Sequence, residues 1–150
     1  MIILSVDYGR ARTGLAVCDK NEMLASPAGV ITEYNMDKLA AKVTDAAREK
    51  KAELIVLGLP RNMDGSEGGS AQNVREFARL LGDLSGIEVV LRDERCTTVT
   101  AHNYLNMTDT RGKKRKAVVD SVAAVIILED YLTFRRNNHD SSSRTETQHR

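Results

Sequence analysis

Three acidic residues stand where an acid is locally costly. Asp7 directly follows the apolar run Ile2-Ile3-Leu4-Ser5-Val6, and Glu94, with Asp93 beside it, closes a second run from Ile87 to Leu91. Asp120 interrupts a third run, Ala117-Val118-Val119-Asp120-Ser121-Val122-Ala123-Ala124-Val125-Ile126-Ile127-Leu128. At about 100° per residue, Asp120 shares a helical face with Ala117, Ala123, Ala124 and Ile127. That is the packing face of a helix apolar nearly all round, where an uncompensated carboxylate costs on the order of several kcal/mol. Each acid also has a plain structural reading, as a turn former, a helix cap or an ion-pair partner. Taken together, three separated carboxylates with no cysteine cluster and no suitable histidine pair make an all-oxygen donor set. Such a set suits a hard divalent cation, Mg2+ or Mn2+.

Basic residues adjoin each acid. Arg10 and Arg12 follow Asp7, Arg92 and Arg95 flank Asp93-Glu94, and Arg111-Gly112-Lys113-Lys114-Arg115-Lys116 puts five charges in six residues just ahead of the run bearing Asp120. Alone, such a run is a solvated loop. Next to metal-binding carboxylates it suits a polyanionic substrate whose phosphates must be drawn to the metal. Other features carry little. The glycines at 65, 68 and 69 lack the Gly-Lys-Ser/Thr of a P-loop, and His102, His139 and His149 read as incidental. Cys18 and Cys96 form no C-x-x-C, which excludes a cysteine zinc site and a disulfide framework and fits a reducing cytoplasm.

The elements that must position these residues follow from hydrophobic periodicity. Ile2 to Val6 reads as a strand buried on both faces, Thr13 to Cys18 as its hairpin return, and Gly29 to Thr32 as a weaker third strand. Met36 to Lys51 has helical spacing, with Asn35 as N-cap. Glu53 to Leu57 is a buried strand ended by Gly58-Leu59-Pro60, and residues 61–69 form a polar loop. A helix capped by Ser70 follows, then a strand over Ile87 to Leu91. Thr97 to Leu105 reads as a short helix, and a last helix runs from about Lys116 to Phe134. Residues 137–150 contain no aliphatic side chain and read as a disordered tail after a single domain over 1–136. This order predicts an α/β fold with a mixed sheet covered by helices.

Composition bounds the function. Among 150 residues, 41% are hydrophobic, enough for one well-packed domain. Four Tyr, two Phe and no Trp argue against an aromatic base-stacking platform. The formal net charge is +1, so contacts with nucleic acid must come from local patches. The start of the chain lacks a signal-peptide pattern, and no stretch has the length of a membrane span. The expectation is a cytoplasmic protein without a membrane partner.

Four motifs then occur in order: Asp7-Tyr8-Gly9-Arg10-Ala11-Arg12-Thr13-Gly14-Leu15-Ala16, Gly58-Leu59-Pro60-Arg61-Asn62-Met63-Asp64-Gly65-Ser66-Glu67, Asp93-Glu94-Arg95-Cys96-Thr97-Thr98 and Val119-Asp120-Ser121-Val122-Ala123-Ala124. Together they resemble the bacterial YqgF family, known as pre-16S rRNA nucleases or Holliday junction resolvases, over about residues 1–134. The resemblance implies an RNase H-like fold with a mixed five-stranded sheet flanked by helices. It also implies metal-dependent phosphodiester hydrolysis in ribosome biogenesis, with Asp7, Glu94 and Asp120 as catalytic, metal-binding acids. In better-known RNase H-like nucleases an acid often sits on the strand after the first helix, where this chain has Gly58-Leu59-Pro60. The middle acid must then come from the next strand, and the family motif and longer reach favour Glu94 over Asp93. Arg10, Arg12, Arg61, Arg95, Lys113, Lys114 and Arg115 would hold the substrate, an rRNA precursor first and branched DNA second. The alternatives are a Holliday junction resolvase and a non-catalytic RNA- or transcription-complex-binding module. An ATP-handling relative of the actin and sugar-kinase superfamily lacks the second lobe such a clamp needs.

Overall fold

The computed structural model describes residues 1–60, 68–93 and 122–138. In chain order these form β1 (Ile3–Asp7), β2 (Arg12–Cys18), β3 (Ala25–Thr32), α1 (Met36–Glu49), β4 (Leu54–Leu59), α2 (Gly69–Ser85) and β5 (Glu88–Asp93). A further helix covers 122–138. The short helix expected over Thr97 to Leu105 lies outside the described residues, as do 139–150 of the expected tail. The five strands make one sheet, mixed as the strand pattern implied, in the order β3-β2-β1-β4-β5. β1 pairs antiparallel with β2 and parallel with β4, and β4 pairs parallel with β5.

The central place of β1 follows from its composition, because Ile3 to Val6 are buried on both faces. Leu4 and Val6 join Leu15, Ile55, Leu57 and Leu59 beneath α1 and α2, packing with Leu39, Val43, Phe77 and Leu81. Ile3 joins Ala16, Cys18, Leu54 and Val56 on the opposite face, against Ala124, Ile127, Leu128, Tyr131 and Leu132 of the 122–138 helix. Ala124 and Ile127 thus pack on the sheet face, as the periodicity around Asp120 required.

Local chemistry explains the ends, including those that differ from expectation. Asn35 caps α1, its side chain accepting from the Lys38 amide at 2.9 Å. α2 instead begins after Gly68, with no side-chain cap bond, and Ser70 lies inside the helix. β3 starts earlier than expected because Pro27 is tolerated on this edge of the sheet beside a register shift, where Ala16 pairs with Pro27 and Leu15 with Gly29. Gly29 has φ +112°, a conformation that favours glycine. The 122–138 helix also continues past Phe134, so Asn137 and Asn138 are helical rather than part of a tail.

Among the described residues, polar contacts from Ser5, Arg92 and Arg135 hold this helix to the rest of the fold. The Ser5 hydroxyl donates to the Ala124 carbonyl at 2.6 Å. Arg92 donates to Asp130 at 2.6 Å and lies 4.4 Å from the Phe134 ring centroid. Arg135 donates to Glu22, on the β2–β3 turn, at 2.6 Å. Ala124 therefore sits nearer the carboxyl end of β1 and Arg135 nearer its start, so the helix runs antiparallel to β1. The Arg135 hydrogen bond is the main cause of a Glu22 pKa below its ordinary 4.5. A depressed carboxylate pKa stabilises the fold above the unfolded value, and that contribution is lost as pH falls through the folded one. Urea unfolding between pH 7 and 3 should therefore show a shallower acid limb for Glu22→Gln than for wild type; parallel curves would contradict this.

Candidate functional site

Asp7 is the last residue of β1 and pairs with Gly14. The turn that follows is braced at several points. A Cβ on Gly9 would lie 1.9 Å from the Arg12 carbonyl oxygen, so no other residue fits without moving the backbone. Thr13 is fully buried. Its hydroxyl accepts from the Gly9 amide at 3.3 Å and donates to the Gly9 carbonyl at 3.4 Å. The Glu33 amide donates to the Ala11 carbonyl at 3.0 Å. Tyr8 packs its ring on Phe77 of α2, with centroids 4.9 Å apart. Burial first, and Glu76 second, push the Tyr8 phenol above its ordinary value, so it is a neutral hydroxyl at neutral pH. Arg10 is exposed and Arg12 half-buried in this segment that follows Asp7 in sequence. Thr13 and the Tyr8–Phe77 pair are supports that sequence reasoning passed over; the Gly9-x-x-x-Thr13 spacing was the available signal.

Strand alternation assigns the faces. Ile3, Ser5 and Asp7 point toward the 122–138 helix, while Leu4 and Val6 point toward α1 and α2. On β5, Arg92 faces the helix through Asp130, so Asp93, paired with Leu59, turns to the α1–α2 face. Asp93 therefore does not share the face of Asp7. Both acids engage other groups within the fold. A shallow groove of about 470 Å³, lined by Asp37, Ala40, Ala41, Leu80, Asp83 and Leu84, lies on the α1–α2 layer away from Asp7.

Of the candidate acids, Asp7 lies at the carboxyl end of a central strand, where ligands of open α/β sheets bind. Glu94, Asp120, Arg61, Arg95, Lys113, Lys114 and Arg115 lie outside the described residues. Among the described residues no three metal-ligating side chains come together. The thiol that is described, Cys18, is buried against the Ile3 amide on the far side of the Ser5 row from Asp7. The donor at this end of β1 is thus a carboxylate, the type a hard cation takes.

Comparison with known proteins identifies the architecture. The family model described as "RuvX: Holliday junction resolvase" matches residues 1–134. The chain belongs to the RuvX family. Among RuvX relatives, a protein of Endomicrobium trichonymphae named "Putative pre-16S rRNA nuclease" is 42% identical over 131 residues, covering 87% of this chain and 94% of its own length. A protein of the same name from Agathobacter rectalis is 36% identical over 141 residues, covering 92% and 99%. In structure the chain is similar to Thermus thermophilus RuvC, with a TM-score of 0.57 at 12% identity over 91% of this chain and 97% of that one. The fowlpox virus Holliday junction resolvase gives 0.54 at 15% identity over 89% and 99%. At these identities the likeness concerns the fold, which is RNase H-like. The RuvX match spans all four sequence motifs, and the first of them is the braced turn after Asp7.

That turn can be tested directly. Gly9→Ala forces a methyl group into the Arg12 carbonyl, so thermal unfolding should show a loss of roughly 1–3 kcal/mol. An unchanged melting temperature would mean that the turn yields freely and does not hold Asp7 rigidly.

Proposed function

We propose that this RuvX chain is a divalent-metal-dependent nuclease that matures the 5′ end of the 16S rRNA precursor in the cytoplasm, with Asp7, Glu94 and Asp120 as its metal-binding carboxylates. One observation carries the site: Asp7 closes a doubly paired central strand, on the sheet face covered by the 122–138 helix. The names of the relatives support the substrate, and the family supports hydrolysis of phosphodiester bonds.

Two arguments support the partner acids. Asp93 is turned to the face away from Asp7, which leaves Glu94, the next residue in sequence, as the acid that the family motif favours. Asp120 precedes residue 122 by two positions, a span of at most about 7 Å. Ala124, four positions after Asp120, lies against Ser5, two positions before Asp7.

In this reading the three carboxylates would hold Mg2+ or Mn2+, which when bound supplies an activated water and neutralises charge developing on the scissile phosphate. The chain's own residues do the rest. Asp7 is presented by a strand paired on both edges, and Arg10 and Arg12, which follow it in sequence, would take the adjoining phosphates. Arg61, Arg95, Lys113, Lys114 and Arg115 would take further backbone phosphates. With a net charge of only +1, affinity for nucleic acid must come from these residues.

A second reading, cleavage of branched DNA, is favoured by the family description and by the likeness to RuvC, solved also in complex with a Holliday junction substrate. A cleavage assay with Mn2+ or Mg2+ on an rRNA-precursor mimic, single-stranded RNA and a four-way DNA junction separates the two. Cutting of the precursor mimic supports the proposal, and cutting of the junction alone replaces it with the resolvase.

Asp7→Asn keeps the shape but removes charge that a hard cation needs. It should abolish nearly all metal-dependent cleavage while leaving metal-free RNA affinity unchanged or slightly higher. A cleavage rate near wild type would reduce Asp7 to a turn residue. Replacing Lys113, Lys114 and Arg115 together with Ala should lower affinity and flatten its dependence on salt, because fewer counterions are released. An unaltered salt slope would leave that run as a solvated loop.

A further inference from the structure

Ser5 interrupts an otherwise apolar buried strand. It is fully buried, and its hydroxyl bond to the Ala124 carbonyl joins residues 119 apart in sequence. That carbonyl lies inside the helix, where the helical ladder already offers it a partner, so the serine relieves no orphaned backbone group. An alanine would fill the strand position equally well. The hydroxyl therefore adds placement of the helix rather than satisfaction of the backbone.

The side chains under the helix also shrink along the sheet toward Asp7. Ile3 pairs with Leu54, Ser5 with Ala16 and Val56, and Asp7 with Gly14. Gly58 follows Leu57, the partner of Val6. The helix matches this taper, with Tyr131 and Leu132, then Ile127 and Leu128, then Ala124. Small residues let backbones approach closely, so the fold permits the nearest approach of helix and sheet in the Ser5 row, directly beside Asp7.

We propose that Ser5 is a positioning residue. Its size and its bond to Ala124 set the height and axial position of the leading end of the helix over β1, and hence the spacing at which a carboxylate delivered there meets Asp7. This rests on the reading of Asp7 and Asp120 as joint metal ligands. Arg135–Glu22 holds the same helix at its other end, which supplies an internal control for general loosening.

The test is calorimetric titration of Mn2+ into the metal-free full chain, with thermal melts alongside, for wild type, Ser5→Ala, Ser5→Val, Ser5→Cys, Arg135→Gln and Asp7→Asn. Ser5→Ala, losing one hydrogen bond, should bind Mn2+ about fivefold more weakly at a nearly unchanged melting temperature. Ser5→Val, which props the helix up, should weaken binding more than about tenfold. Ser5→Cys, of similar size but a weaker donor, should fall between wild type and alanine. Arg135→Gln should lower the melting temperature and leave Mn2+ affinity within about twofold. Wild-type affinity in both Ser5→Ala and Ser5→Val overturns the proposal. So does an Arg135→Gln loss as large as that of Ser5→Ala, because any loosening would then suffice. Should Ser5→Val fail to fold, Ser5→Ala against Arg135→Gln still decides. Asp7→Asn that binds Mn2+ like wild type overturns the underlying site reading instead, whatever the Ser5 variants do, and wild type that binds no Mn2+ overturns both.

Discussion

β1 is hydrogen-bonded along both edges and buried on both faces, and every element that bears on the site is placed relative to it. A strand held this way cannot slip by one residue without turning Leu4 and Val6 out of one core and Ile3 out of the other. The register of β1 thus decides which face Asp7 takes. Burial of aliphatic side chains supplies the energy, at about 25 cal/mol per Å² removed from water, and the site inherits its geometry from that packing.

The two faces of the sheet divide the work. The α1–α2 face is the larger core, built on Phe77, Leu39, Leu81 and their neighbours, and Tyr8 is drawn into it as the chain leaves β1. Among the described residues the other face carries one helix, tied down by polar contacts as well as by apolar packing. Ser5, Arg92 and Arg135 each reach across from one element to another, over long separations in sequence. Dispersion forces alone would let an apolar helix slide along an apolar sheet at little cost, whereas a hydrogen bond at 2.6 Å is directional and fixes a position.

Charge is arranged with the same economy. Glu22, Glu33 and Asp130, among the described residues, each have a defined cationic partner, Arg135, Lys42 and Arg92. Arg10, by contrast, is exposed on the turn after Asp7, where a Cβ at position 9 would clash with the backbone. A nearly neutral protein can bind a polyanion when its structural cations are neutralised locally and the cations near the site are left to act on the ligand.

Much of this was determined by the amino-acid sequence alone. The buried character of Ile3 to Val6, the cap at Asn35 and the packing face shared by Ala124 and Ile127 are local consequences of residue type and period. The four ordered motifs carried the family. Ser70 misled because a hydroxyl near a helix start resembles a cap, and the start of β3 was missed because Pro27 argues against a strand until its edge position is known. Only the tertiary structure decided which faces of the sheet Asp7 and Asp93 take. Alternation cannot be phased at the end of a strand until that strand has neighbours, and it is the pairing of Leu59 with Asp93, together with the Arg92–Asp130 contact, that turns Asp93 away from Asp7. The bond from Ser5 to Ala124 likewise belongs to no local pattern, because it exists only once the sheet and the helix have packed.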